Sequence, residues 1–301
     1  MTGLSTNIPA ERHGGAGQLG EHTVSRIGFG AMQLERLGND RDAAFAVLRR
    51  AIELGVDHID TAQFYGDGLA NSLIREAVRP EDGVIVVSKV GADSNPGGSP
   101  SLRAAQRPEE LRASVEENLR GLGVDRIPIV NLRRLDTALG LQPQGDQVVD
   151  VDAQLAEMIA LRDEGKIGAI GISSVSFENL RRALPAGIVC VQNAYSLVAR
   201  HDEEMLALCL AESIAWVPYF PLGSAFPGLP KVTDEPAVKA AAVRLGFTPS
   251  QVGLAWLLRH SPNVLLIPGT ASIEHLEANL AVGDVVIDEA TLAELDAIPS
   301  R

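Results

Sequence analysis

Eight short apolar segments recur along the 301-residue chain, and longer stretches with helical periodicity lie between them. Most of the eight are continuous apolar runs, which is the pattern of strands covered on both faces. Strands that alternate with helices build a parallel sheet, because each helix carries the chain back to the edge where the next strand begins. The predicted strands are 26–32, 56–60, 84–89, 127–132, 167–173, 188–192, 214–220 and 264–268.

The segments between the strands carry helix start and stop signals. Pro108 begins a helical pattern that Gly121 or Gly123 ends, as expected for proline in a first turn and glycine after a last one. Thr248 begins a second pattern with a capping box. Residues 288–298 predict an extra C-terminal helix.

Eight strand–helix units without a linker favour a single domain over residues 1–301, a closed (β/α)8 barrel of the TIM-barrel type. A doubly wound open sheet is the alternative architecture. Residues 1–22 are expected to form an N-terminal arm or hairpin. Three long irregular stretches, 90–107, 137–150 and 223–233, each follow a strand. The site of such a barrel lies where strands run into helices, so these loops are expected to surround it.

One segment matches a dinucleotide-binding fingerprint by letter only. Residues 15–20, GAGQLG, fit the pattern GxGxxG. The fingerprint binds a pyrophosphate only when a strand precedes it and a helix follows it. Neither IPAERH before it nor EHTVS after it has the required pattern, so we expect a flexible arm or a hairpin turn.

Charge and composition exclude several classes of partner. The chain has 39 acidic and 26 basic residues, and this net charge of −13 disfavours binding to nucleic acid. No apolar run reaches the ~18–20 residues that span a bilayer, and no secretory signal is present, so we expect a cytoplasmic protein.

Cys190 and Cys209 are expected to be buried thiols. The histidines form no HxxxH-like pair, so no metal site is expected. Oligomeric state has no signal in the sequence.

Three residues with acid–base chemistry follow one another at neighbouring strand ends. Asp60 ends the second predicted strand, Lys89 ends the third, and Tyr65 lies on the loop after Asp60. One interpretation is a purely structural buried ion pair between Asp60 and Lys89. The nearby tyrosine favours another, because an ammonium lowers the pKa of a neighbouring phenol. Such a phenol can protonate a developing alkoxide, as carbonyl reduction requires.

With these residues in place, the chain resembles the aldo-keto reductase family along nearly its whole length. The matching motifs are GFGAMQL (28–34), DTAQFYG (60–66), SKV (88–90), GKIGAIGISS (165–174), VQNAYS (191–196), YFPLG (219–223) and LLIPGTASIEHLEANL (265–280). FGAMQL, IVNLR and YFPLG are most similar to bacterial pyridoxal reductases. The resemblance implies an NADPH-dependent, metal-free reductase of aldehydes or ketones, for which NADH is also possible. Pyridoxal or another small polar or aromatic aldehyde is the candidate substrate.

The resemblance also assigns residues to roles. Tyr65 would be the proton donor, tuned by Asp60 and Lys89. Ser173, Ser174 and Gln192 would hold the nicotinamide carboxamide, and Tyr219 would stack on its ring. The further cofactor contacts are Pro221, Leu222, Gly223 and Ile267, with Gly269, Thr270, Ser272, His275 and Asn279 at the adenosine 2′-phosphate and adenine. The last group begins a helix, and helix N-termini bind phosphate.

The chain departs from the family pattern at three places. Arg133 stands where the family commonly has a histidine at the end of the fourth strand, and Ser174 replaces an asparagine. Arg133 is expected either to add positive potential at the barrel mouth or to turn away and pair with a carboxylate such as Asp136. His275 and Gly269 replace an arginine and a lysine, which leaves His275 as the only expected charge for a 2′-phosphate. NADPH is therefore expected to be preferred only modestly, and more strongly as the pH falls towards ~6, where histidine protonates.

Two other functions remain open. Lys89 could form a Schiff base in an aldolase-like lyase, although Asp60 would keep it protonated and unreactive. The barrel could also be a cofactor-binding regulatory protein without catalytic activity.

Overall fold

The computed structural model describes residues 12–137, 140–223 and 229–301, and its largest element is a seven-stranded parallel sheet. The strands in chain order are β1 (Ala16–Leu19), β2 (His22–Ser25), β3 (Phe29–Gly30), β4 (His58–Asp60), β5 (Ile85–Val90), β6 (Ala92–Ser94), β7 (Leu102–Ala104), β8 (Ile127–Arg133), β9 (Ile167–Ser173), β10 (Ile188–Gln192) and β11 (Ala215–Trp216). The sheet runs in the order β11-β10-β9-β8-β5-β4-β3. This order follows the chain, as expected when each helix returns to the next strand.

The two edges of the sheet meet through the eighth predicted strand, 264–268. Val264 pairs with Trp216 of β11, and Leu266 pairs with Ile27 just before β3, each through a single parallel bridge. These bridges close the (β/α)8 barrel and exclude the doubly wound open sheet. The prediction of full strands implied a continuous ladder of hydrogen bonds here, but each junction is a single bridge. The observed strands within 26–32 and 214–220 are therefore only two residues long each.

Ten α-helices lie in the described part of the chain. They are α1 (Arg41–Glu53), α2 (Leu69–Ala77), α3 (Pro108–Leu122), α4 (Val151–Asp163), α5 (Phe177–Ala183), α6 (Glu203–Ala211), α7 (Pro236–Leu245), α8 (Pro249–His260), α9 (Ile273–Leu280) and α10 (Glu289–Asp296). The predicted caps are confirmed: Gly123 ends α3 with a φ of 67°, and Thr248 caps α8 with Gln251. The extra C-terminal helix is confirmed as α10. None of these helices is long and apolar enough to cross a membrane.

The GAGQLG segment contributes to an antiparallel hairpin formed by β1 and β2. Gly20, with a φ of 63°, lies in the turn. Leu19 and Val24 pack in the barrel interior with residues that include Ile129, near the start of β8. The hairpin therefore covers the end of the barrel where the strands begin, and the segment is no dinucleotide loop. Residues 1–11 of the expected arm lie outside the described residues.

The expected long loops all follow strands, but the first is not irregular. Residues 90–107 contain the antiparallel pair β6 and β7. Its polar sequence, rich in glycine and proline, carries no strand pattern, and this is why the hairpin was missed. In the other two loops only short 3-10 turns are described, Gly145–Gln147 and Val232–Asp234. Residues 138–139 and 224–228 of these loops lie outside the described residues.

Candidate active site

Asp60, Lys89 and Gln192 meet inside the barrel near the C-terminal ends of their strands. Lys89 donates a hydrogen bond to Oδ1 of Asp60 and another, of 3.1 Å, to the carbonyl of Thr61. Nε2 of Gln192 donates to the second oxygen of Asp60 at 2.7 Å. The three side chains are buried, and a buried ion pair is tolerated only when its remaining polar atoms find such partners. The predicted Asp60–Lys89 pair is thus present.

Tyr65 lies on the loop after β4, with its ring beside Lys89. The Lys89 ammonium is 4.9 Å from the centroid of the Tyr65 ring. Phe64 packs edge-on against the same ring, with 5.2 Å between the two centroids. The phenol, the ammonium and the carboxylate of Asp60 therefore form one group at the mouth of the barrel.

A buried amide network holds the loop that carries Tyr65. The hydroxyl of Thr61 donates to Oδ1 of Asn71 at 2.9 Å, and Nδ2 of Asn71 donates to Gln63 at 2.7 Å and to Asn118 at 3.0 Å. Ser88, next to Lys89, donates to Asn118 at 2.5 Å. Buried networks of this kind rigidify what they connect. Here they tie the loop to β5 and to α2 and α3.

The pKa of Tyr65 is shifted in the direction opposite to the one expected from the sequence. Burial raises the pKa of the phenol, and the charges of Lys89 and Arg133 lower it by less. The expectation of a lowered pKa is therefore wrong for the protein alone, because the burial of a loop residue cannot be seen in the sequence. Burial also lowers the pKa of Lys89, but the charges of Asp60 and Tyr65 outweigh it, so the Lys89 pKa is raised. At neutral pH both side chains keep their protons.

We expect no ionisation of Tyr65 below pH ~10. A raised pKa means that the phenol keeps its proton as the pH rises through the ordinary tyrosine range. The chain has only three tyrosines, so the difference in phenolate absorbance between the wild type and Tyr65→Phe isolates this group. That difference should stay flat between pH ~7 and ~10. A Tyr65-dependent phenolate signal that grows near pH ~8 would contradict the raised pKa of Tyr65.

Arg133 is the last residue of β8 and is half-buried at the barrel mouth. Its guanidinium carbon lies 5.8 Å from the centroid of the Phe64 ring. Asp136 is paired with Arg134, at 3.1 Å, and Arg133 forms no ion pair with any carboxylate of the described residues. The alternative in which Arg133 pairs with Asp136 is therefore wrong, and its charge remains available beside Tyr65.

The residues expected at the nicotinamide lie together. Ser173 is opposite Gln192 in the pairing of β9 with β10. Ser174 follows with a φ of 49°, a left-handed conformation that non-glycine residues rarely adopt and that is often found at functional sites. Its hydroxyl is 3.3 Å from that of Tyr219. Oε1 of Gln192 is buried without a partner in the described structure, so it can accept an N–H of a carboxamide.

Other expected cofactor residues lie elsewhere. The backbone N–H of Gly223 donates to Phe220 across a turn that contains Pro221 and Leu222, at 2.9 Å. The side chain of Leu222 packs against the barrel core, so the group that can face a cofactor there is its backbone. Ile267 lines a small interior cavity together with Asp60 and Gln192. Asn279 lies in the last turn of α9.

A larger pocket, of about 380 Å³, lies beside the N-terminus of α9. Its lining residues are Gln33, Arg36, Gly269, Thr270, Ala271, Ser272 and His275. Four of them were predicted from the sequence, whereas Gln33, Ala271 and Arg36 were not. Arg36 lies on the 3-10 helix Ala31–Leu37 and is one of 26 basic residues in the chain, so no sequence signal marked it. The expectation that His275 is the only charge here is wrong.

The donor set of this region fits a nicotinamide dinucleotide phosphate. Hydroxyl groups, a helix N-terminus and a guanidinium surround the larger pocket, and all of them bind phosphate. Serine hydroxyls and the unpaired oxygen of Gln192 lie at the barrel mouth, where a carboxamide would bind. Among the described residues, no group of three or more His, Cys, Asp or Glu side chains could hold a metal ion.

Comparison with known proteins gives consistent matches along the chain. A model described as the aldo/keto reductase family matches residues 26–299. The chain is 41% identical over 287 residues to pyridoxine 4-dehydrogenase of Escherichia coli strain K12, across 93% of this chain and 96% of that protein. It is 30% identical over 309 residues to probable aldo-keto reductase 1 of Glycine max, across 92% of this chain and 86% of that protein.

A solved structure has the same architecture. An aldo-keto reductase from Klebsiella pneumoniae, crystallised in complex with NADPH, superimposes with a TM-score of 0.78 and 28% sequence identity. The match covers 95% of this chain and 96% of that one.

Proposed function

The chain belongs to the aldo/keto reductase family, and we propose that it reduces a small polar aldehyde to an alcohol with NADPH, with pyridoxal as the first candidate substrate. The observation that carries the proposal is the group formed by Asp60, Lys89 and Tyr65 at the mouth of a closed barrel. Barrel enzymes carry their sites at this end of the strands.

The chemistry follows from the protonation states of these side chains. When bound, the reduced nicotinamide supplies the hydride for the carbonyl carbon. Tyr65 holds a proton at neutral pH and gives it to the carbonyl oxygen as negative charge develops there. Lys89 stays charged and stabilises the phenolate that remains. Asp60 holds the ammonium in position.

The cofactor contacts are part of the same proposal. Ser173, Ser174 and Gln192 would hold the carboxamide, and Tyr219 would lie on the ring. The backbone of 221–223 and the residues Ile267 and Asn279 would add contacts. Thr270 and Ser272 would bind the adenosine phosphate, together with the backbone of Gly269 and the side chain of His275. Support comes from the unpaired oxygen of Gln192 and from the hydroxyls around the larger pocket.

Two further parts of the proposal concern the whole chain. We propose that residues 1–301 form one barrel domain and that the protein acts in the cytoplasm. Cys190 and Cys209 are free and buried thiols, which suits a reducing compartment.

The alternative functions are less well supported. A Schiff base requires a neutral amine, and the raised pKa of Lys89 keeps it protonated. Borohydride trapping with a carbonyl substrate would reveal such a lyase. A regulatory barrel would bind the cofactor without consuming it.

The proposed function is tested by NADPH consumption with pyridoxal, aromatic and aliphatic aldehydes, and sugars. We expect turnover with pyridoxal or another polar aldehyde and less with a plain aliphatic one, because Arg133 leaves a free cation at the mouth. Cofactor binding without consumption on any carbonyl would overturn the reductase and favour the regulatory barrel.

Arg133→Met should lower kcat/KM for pyridoxal by about tenfold to a hundredfold, the usual worth of a hydrogen bond to a charged group. The loss should be much smaller for a plain aliphatic aldehyde, which offers the guanidinium no further polar group. Arg120→Met, on the exposed face of α3, is the control for the change in net charge. An equal loss on both aldehydes, or no loss on either, would show that Arg133 has a structural role.

A further inference from the structure

We propose that Arg36 is the residue that selects NADPH over NADH, by pairing with the 2′-phosphate of the cofactor. The inference rests on the proposed function, since it concerns the cofactor site of that reaction. Gly269 and His275 stand where the family commonly has a lysine and an arginine, so neither position offers a fixed cation. Arg36 would supply that cation.

The position of Arg36 follows from a short helix that faces the barrel mouth. The 3-10 helix Ala31–Leu37 begins directly after β3 and brings Gln33 and Arg36 to one side of the larger pocket. Thr270 and Ser272 line the same pocket, before the first turn of α9. A phosphate in this pocket would therefore meet both the guanidinium and the helix N-terminus, and both favour an anion.

The hydroxyls of the pocket form hydrogen bonds within their own turn. The Thr270 hydroxyl accepts the Ser272 backbone N–H at 3.0 Å, and the Ser272 hydroxyl accepts the His275 backbone N–H at 3.4 Å. The Thr270 hydroxyl also donates to the Ser272 carbonyl at 3.4 Å, which leaves the Ser272 hydroxyl to donate to a phosphate, and neither group carries a charge. Among the residues that line the pocket, Arg36 is the one with a permanently charged side chain. Arginine is charged at every working pH.

The surroundings leave the charge of Arg36 available. Its guanidinium forms no ion pair with a carboxylate anywhere in 12–137, 140–223 or 229–301. Of the acidic residues on α9, Glu277 is paired with Arg50 of α1 at 2.7 Å, and Glu274 is exposed. The chain as a whole carries a net charge of −13, which repels a cofactor with several phosphate charges. A local fixed cation offsets this repulsion where the extra phosphate binds.

The test is the dissociation constant of NADPH and of NADH, measured by calorimetry with Arg36→Met. Methionine keeps an unbranched side chain and removes the charge. We expect NADPH binding to weaken by about tenfold or more, which corresponds to ~1.4 kcal/mol, and NADH binding to change by less than about twofold. Arg36→Lys should restore part of the preference, because an ammonium binds phosphate as a point charge.

Arg41→Met is the matched control, since it removes one exposed arginine five residues further along. Arg41 contacts Glu76 of α2 and does not line the pocket, so this variant should keep the wild-type preference at pH 6 and at pH 8. Equal weakening of both cofactors by Arg36→Met would overturn the inference and indicate a contact shared by the two, such as the pyrophosphate. No weakening would also overturn it. A wild-type protein that binds neither cofactor would instead overturn the proposed function.

Discussion

Tyr65→Phe should lower the rate of aldehyde reduction by about 10²–10⁴-fold, the usual contribution of a positioned general acid. Phenylalanine keeps the ring that packs against Phe64 and lies beside Lys89, and it removes only the hydroxyl. Since the proton goes to the carbonyl oxygen and not to the cofactor, the dissociation constant of NADPH should remain near the wild-type value. Single-turnover kinetics with saturating NADPH would separate the two effects.

Phe64→Leu is a useful comparison for this variant. It disturbs the same ring packing but leaves the phenol in place, so its loss of rate should be far smaller. If Tyr65→Phe reduces aldehydes within a few-fold of the wild type, another group supplies the proton and the assignment fails.

Lys89→Met should reduce the rate to a similar extent, and it should also destabilise the fold. In the proposed mechanism the ammonium stabilises the phenolate, so its loss should remove transition-state stabilisation. The variant also leaves the buried carboxylate of Asp60 without its partner, which costs about 3–5 kcal/mol of folding free energy in comparable cases. Denaturant unfolding and kcat should therefore both change.

The double variant Lys89→Met with Asp60→Asn separates the two roles. Without a charge at either position, the folding free energy should recover much of the loss. Activity should stay low, because the cation beside Tyr65 is still missing. Activity that recovers together with stability would mean that Lys89 and Asp60 form only a structural pair, the interpretation that the sequence left open.

The sequence predicted the barrel because its signals are local. Continuous apolar runs, a proline in the first turn of α3 and a capping box at Thr248 each depend on neighbouring residues alone. Barrel closure depends on residues far apart in sequence, such as Ile27 and Leu266, and no local pattern shows that these form single bridges instead of a ladder. The β6–β7 hairpin was missed for a related reason, since its strands are three residues long and contain no continuous apolar run.

The site, like the fold, has parts that the sequence predicts and parts that depend on distant residues. Asp60 and Lys89 were predicted because each ends an apolar strand, and parallel strands bring such ends together. Gln192, which ends β10, was assigned through the family resemblance alone. The direction of the Tyr65 pKa could not be predicted, because it depends on how deeply the loop buries the phenol. Arg36 was missed because it lies outside the motif 28–34 that matches the family and far in sequence from Thr270.

The most direct test of the central claim is the transfer of deuterium to pyridoxal from NADPH that carries deuterium at both C4 positions of the nicotinamide, followed by mass spectrometry of the alcohol. The account predicts that the wild type delivers the label to the carbinol carbon. It also predicts that Tyr65→Phe does so at least about a hundredfold more slowly while binding NADPH equally well. An unlabelled alcohol, or label transfer by Tyr65→Phe at the wild-type rate, would contradict it.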